Sequence, residues 1–246
     1  MKVVRPAIDK SAAERLREQS LAVLTGGTGR ANSETLKALD TAVERAVSVS
    51  EPCGGYRFAR LTEITEAGVG TLFGPVESRK FSLMAGESSG ERRIVFALAT
   101  AGTRLDEELE GDMPLLDKFV LDAVGSELAE MIADLVEDCW KDEAAALGLE
   151  SSVRMSPGYC DWHLQGQSLI FKAIDAEAVG VRLTGSFLMI PSKSVSSAAV
   201  VAERVSLKLQ CVICKRADCP FRRAPYDEEW KSARAVGFEP GVEEKG

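Results

Sequence analysis

Apolar residues recur at helical spacing over 7–24, where Ala12, Leu16, Leu21 and Leu24 share a face. They do so again over 33–49, through Leu36, Leu39, Ala42, Val43 and Ala46, with Asn32 or Ser33 as the capping residue. Between these helices Gly26-Gly27-Thr28-Gly29-Arg30 follows a helix rather than a strand and lacks the Gly-Lys-Ser/Thr ending of a phosphate loop, so it reads as a linker. Residues 51–55 read as a turn and 56–64 as a strand, while 65–92 carry little pattern. The unbroken apolar run 93–100 predicts a buried strand. A short helix with Leu105 and Leu109 follows, then a long one over about 114–147 with Pro114 in its first turn. The long helix has an apolar stripe from Leu116 to Val136 and acidic positions at Glu127, Glu130, Asp134, Glu137 and Asp138. A helix over 168–179 stops at Gly180, and strands over 181–190 and 195–205 are joined by Pro191-Ser192-Lys193-Ser194. Helices and strands mix without a regular β-α-β rhythm. The expected fold is therefore α+β, a twisted, mostly antiparallel sheet with flanking helices, followed by a C-terminal cysteine knuckle. The expected organisation is a helical N-terminal part with the first strand over 1–90, a core over 91–206, the knuckle over 207–226 and a flexible tail over 227–246.

The chain of 246 residues is long enough to bury a sizeable core. A net charge of −8 lacks the basic footprint that nucleic acid or an anionic membrane surface requires. No apolar run reaches the ~20 residues that span a bilayer, and no apolar signal core follows the N-terminus, so a cytoplasmic protein is expected. Six cysteines in such a compartment point to metal or redox chemistry rather than structural disulfides.

The densest stretch of special residues is Arg154-Met155-Ser156-Pro157-Gly158-Tyr159-Cys160-Asp161-Trp162-His163. Arg154 is a permanent cation whose planar fork suits a carboxylate. Gly158 has no Cβ, so another molecule can come close to the backbone. Tyr159 and Trp162 offer flat faces that stack on a base or hold a cation. Together they suit a zwitterionic, nucleotide-like ligand; a tight turn between regular elements explains the same residues without one.

Arg154-x-x-Pro157-Gly158-Tyr159, followed by the segment from Leu183 to Ser196 with Lys193-Ser194-Val195, resembles the activation (reactivation) domain of vitamin B12-dependent methionine synthase, and most closely its free-standing relatives. In those, Ser-Pro-Gly-Tyr, a glutamine matching Gln167 and the Lys-Ser-Val segment recur in this order. The likeness runs from about Arg93 to Val205 and includes Leu121–Ser126. It implies a C-shaped α+β domain that binds S-adenosylmethionine, with Arg154 meeting the methionine carboxylate, Glu130 near the amino group, and Ser156, Gly158 and Tyr159 lining the adenosine pocket. Where the family carries an aromatic segment, Ala198-Ala199-Val200 stand here. The homocysteine, folate and cobalamin modules are not part of this chain. The implied function is thus activation in trans: supporting the reductive methylation of cob(II)alamin on a partner, either a corrinoid protein or a core methionine synthase, with a separate electron donor. This would be one part of a cobalamin-dependent methyltransferase system. The alternative is a metal-cluster electron-transfer or structural subunit that docks on a corrinoid protein without using S-adenosylmethionine.

Cys211, Cys214 and Cys219 follow the spacing Cys-x2-Cys-x4-Cys, which serves zinc and iron–sulfur sites alike, and Cys160 is the candidate fourth ligand. Asp161-Trp162-His163-Leu164-Gln165-Gly166 spells the Asp-x-His-x-x-Gly of cobalt-ligating domains, but outside the doubly wound context that motif needs. His163 therefore reads as a loop residue.

Overall fold

The computed structural model describes residues 1–86, 88, 90–205, 212 and 225–227. The chain opens with β1 (Lys2–Val4), α1 (Lys10–Leu24) and α2 (Ser33–Val49). The caps are local: the side chains of Asp9 and Asn32 each accept a hydrogen bond, at 2.8 Å, from the N–H groups of Ala12 and Thr35. Then come β2 (Cys53–Ile64), β3 (Val69–Thr71), β4 (Gly74–Val76), α3 (Arg79–Gly86), β5 (Arg93–Thr100) and α4 (Arg104–Glu110). The long helix α5 (Leu115–Ala146) is followed by β6 (Glu150–Ser151), a 3-10 turn at Leu164–Gly166, α6 (Gln167–Ala173), α7 (Ala176–Val179), β7 (Arg182–Leu183), β8 (Met189–Ile190) and β9 (Ser194–Ala202).

The main sheet runs β4-β3-β2-β5-β9-β6, with β1 also paired to β2, and every pairing is antiparallel. The fold is α+β with helices on both faces of this sheet, as the mixed pattern predicts. β5 explains its own apolar run. Val95, Ala97 and Ala99 face one core, with α1, α2 and α5, while Ile94, Phe96 and Leu98 face a second core with α3 and α6. α5 buries Val120, Val124, Leu128, Ile132 and Val136 in the first core. Each such side chain contributes about 1.5–3 kcal/mol on leaving water.

Several boundaries differ from the sequence reading. The turn expected at 51–55 is strand from Cys53 onward, because Gly54 lies beneath α5: a Cβ there would stand 2.3 Å from Val136 Cγ2. Gly54→Ala is accordingly expected to cost about 1–3 kcal/mol of stability through overpacking, read as a lowered urea midpoint with unchanged slope. Pro114 is the N-cap of α5 rather than its first residue, and its carbonyl accepts from the N–H of Lys118. The helix expected over 168–179 is interrupted, because Asp175 caps a new turn by accepting from the Ala178 N–H. Gly180 ends that turn in the left-handed conformation. Of the strand expected over 181–190 only the short β7 and β8 pair, around a turn in which Thr184 binds Leu188. The weakly patterned 65–92 hides the β3–β4 hairpin and α3, whose elements are too short to show a period.

No helix among the described residues is long and apolar enough to cross a membrane. Cys211, Cys214 and Cys219, and the tail from 228, lie outside the described residues.

Candidate functional site

Residues 152–155 continue from β6 along the outer edge of β9. Ser152 exchanges hydrogen bonds with Val200, and Met155 forms a two-bond bridge with Ala198. Strand alternation then points neighbouring side chains to opposite faces. Met155 is buried in the second core, and Arg154 turns toward α5.

There the guanidinium meets carboxylates from successive turns of one helix face. Nη2 lies 2.9 Å from Glu130 and 2.6 Å from Asp134, and Nε lies 2.7 Å from Glu137. The Arg154 side chain is only 16% exposed. Burial works against its charge, but the charges of Glu130 and Asp134 and their hydrogen bonds outweigh it and hold the group firmly protonated. Lys141 also binds Glu137, at 2.7 Å. Glu127, half-buried one turn from Glu130, has its pKa pushed up by burial and then by the charges of Glu130 and Asp134.

Beyond Met155 the chain forms a compact loop. The N–H of Tyr159 donates to the Ser156 carbonyl, that of Trp162 to Tyr159, and that of Gly158 to Trp162 at 2.7 Å. Gly158 adopts φ +90°, which a side chain would strain. The loop is anchored by Trp162, 2% exposed, whose ring meets Phe81 edge-on at 5.0 Å. It is anchored too by Asp161, which accepts from Ser78 Oγ at 2.8 Å and the Lys80 N–H at 3.3 Å. Trp162 is therefore a core residue and not the exposed stacking face that the sequence suggested. Tyr159 is that face, 62% exposed. His163 is exposed at the start of the 3-10 turn. Ala198 and Ala199 are buried in the middle of β9, one in each core, so the departure from the aromatic segment alters packing inside the sheet. Cys160 is exposed on the loop, Cys53 is buried in β2 and Cys139 is partly buried on α5. Among the described residues no three or more His, Cys, Asp or Glu side chains gather as a metal site.

The start of β9 is tied to the same face of α5. Lys193 Nζ binds Asp122 at 2.7 Å and Ser126 Oγ at 3.0 Å, and its stem lies over Gly125. Ala101 donates to the Lys193 carbonyl, and Ser194 Oγ binds Thr100 Oγ1. The strand ending at Thr100, the 121–126 turns of α5 and the Lys193 segment thus converge, with the Arg154 segment beside them on β9.

The model of the family described as vitamin B12-dependent methionine synthase, activation domain, matches residues 99–214. The fold is similar to that in the crystal structure of the MetH reactivation domain bound to AdoHcy, with a TM-score of 0.58 at 15% identity over 97% of this chain and 90% of that one. Residues 99–214 thus resemble the methionine synthase activation domain, and the fold of the chain is similar to that of a solved example. A search of curated proteins finds no match.

The family-matched segment contains Glu130, Arg154, Ser156, Gly158, Tyr159 and Lys193. The structure joins Glu130 to Arg154 directly and leaves Tyr159 outward on the loop that begins two residues after Arg154. Asp134 and Glu137, which complete the Arg154 cluster, were legible only as acidic positions on α5. Their i, i+4, i+7 relation to Glu130 is the signal that they share its face. The Lys193–Asp122 pair had no local signal at all, since its partners are separated by 71 positions.

Proposed function

We propose that the protein binds S-adenosylmethionine and acts in trans as an activator of a corrinoid methyltransferase, supporting the reductive methylation of cob(II)alamin held by that partner. The observation that carries this reading is the family match over 99–214, which runs through Glu130, Arg154 and Tyr159. The similar crystal structure holds AdoHcy, the demethylated product of S-adenosylmethionine, and this favours the same ligand class here.

On this reading Arg154 takes the ligand carboxylate and Glu130 its ammonium. A zwitterion offers each member of the resting Arg154–Glu130 pair an opposite charge, so ligand binding replaces one ion pair by two. Tyr159 stacks on the adenine, and the bare backbone at Gly158 and the Ser156 hydroxyl line the nucleoside. The partner's cobalt(I) is the nucleophile that receives the methyl group. This chain contributes position and orientation, which convert a bimolecular encounter into an aligned one. A separate donor supplies the electron.

A second reading is favoured by one observation: the Arg154 cation already has carboxylates on two of its nitrogens. In it the arginine is a clamp, and the chain docks on a corrinoid protein as an electron-transfer or structural subunit without using S-adenosylmethionine. An iron–sulfur cluster or zinc at Cys211, Cys214 and Cys219, with Cys160 as fourth ligand, belongs to that proposal.

Calorimetry with S-adenosylmethionine separates the two. Tyr159 is mostly exposed, so Tyr159→Ala leaves the fold intact. Loss of one base–aromatic stack is expected to weaken binding by about 1–3 kcal/mol, roughly five- to more than a hundredfold. A parent protein that does not bind the ligand would favour the second reading.

A further inference from the structure

Leu115 and Phe119 stand one turn apart at the start of α5, 83% and 63% exposed. The helix there is not adrift: Leu116, between them, packs into the first core. These are large apolar groups held in water, and around them the chain is acidic. From Asp106 to Asp122 it carries seven carboxylates against one lysine, a net −6 within a chain of net −8. Glu107, Glu110, Asp112 and Asp117 are exposed, and their carboxylates make no ion pair or hydrogen bond among the described residues. An apolar centre with an acidic, unneutralised rim fits a protein surface that presents lysines and arginines around an apolar pocket.

The same exposed face of α5 continues through Asp122, Ser126, Glu130 and Asp134, where Lys193 and Arg154 are bound. At 1.5 Å per residue, Phe119 lies about 16 Å along the helix from Glu130. A standard interface covers about 800 Å² per partner, a disc of about 16 Å radius. A single partner centred on Phe119 therefore reaches the Arg154 end of the face.

We infer that the Leu115–Phe119 face of α5 is the surface on which the methyl-accepting corrinoid protein docks, through a basic patch with an apolar centre. This rests on the activator reading above. Apolar burial at Phe119 holds the complex, and the acidic rim speeds and orients encounter.

The test is binding of the full chain to a corrinoid-loaded methionine synthase core that lacks its own activation domain, measured beside S-adenosylmethionine binding. The double variant Leu115→Ser, Phe119→Ser is expected to bind the core at least tenfold more weakly. Glu110→Lys with Asp117→Lys is expected to weaken it similarly, and added salt to loosen the parent complex. Both variants retain parental S-adenosylmethionine affinity and thermal midpoint. Parental core binding by the serine variant overturns the surface, and unchanged or tighter binding by the lysine variant overturns the basic partner. A parent chain that binds S-adenosylmethionine but not the core overturns the docking inference alone. A parent that holds the core through Phe119 yet ignores S-adenosylmethionine overturns the ligand reading and leaves the surface standing.

Discussion

Arg154→Ala is expected to weaken S-adenosylmethionine binding by ten- to more than a hundredfold, the loss of one charge-assisted carboxylate contact of roughly 1.5–3 kcal/mol. The same change should cost the fold about 2 kcal/mol. Stripping one partner from a fully buried ion pair costs about 3–5 kcal/mol. Here the carboxylates left behind are not equally buried: Glu130 and Asp134 have side chains 53% and 59% exposed, and water can take over their solvation. Only Glu137, 11% exposed, is left in poor solvent, and Lys141 at 2.7 Å partly compensates it. Arg154→Lys keeps the charge but loses the fork that spans several acceptors, so it should recover most of the stability and little of the affinity. Calorimetry and urea unfolding on the same samples read both effects. Full ligand affinity in a destabilised Arg154→Ala protein would make the arginine a clamp between the sheet edge and α5, and nothing more.

Trp162→Ala is expected to lower stability by about 3–5 kcal/mol, the largest effect of any single truncation near the site. The indole is 2% exposed and fills the space between Phe81 and the backbone at Gly166, where even a Cβ would come within 2.2 Å of Nε1. Its removal leaves a cavity in the second core and frees the loop that carries Gly158 and Tyr159, so ligand affinity should fall with stability. Trp162→Phe keeps the edge-on contact with Phe81 and should lose much less. Urea unfolding of the three proteins measures the series, and a loss below about 1 kcal/mol for the alanine variant would show that the tryptophan does not anchor this loop.

Much of the scaffold was legible because it repeats. The 32 residues of α5 carry an apolar stripe long enough to fix its identity, and β5 is apolar on both sides because it is buried on both sides. The three-residue strands β3 and β4 could not be read, since two or three positions hold no period. Cys53-Gly54-Gly55 looked like a turn because glycine is permissive anywhere; only the nearness of Val136 to Gly54 and of Val179 to Gly55 shows why these two strand positions lack a side chain. At the site, residue chemistry singled out Arg154 as a cation suited to a carboxylate and Tyr159 as a flat face; the first lies among three carboxylates and the second is exposed. Residue chemistry misplaced Trp162, because an indole next to a Pro-Gly turn has the same local signature whether it faces water or core.

The sequence by itself determined the long helices α1, α2 and α5, the central strand β5, the mixed α+β class, and the landmarks from Thr100 to Val195 that resemble the methionine synthase activation domain. Those are properties of neighbouring residues, or of their order. Tertiary structure decided which acids surround Arg154, that Lys193 closes on Asp122, and that Leu115 and Phe119 remain uncovered. The reason is distance. Ion pairing and burial fall off within a few ångströms in space, and residues 17 to 71 positions apart come that close only when α5 packs on the sheet.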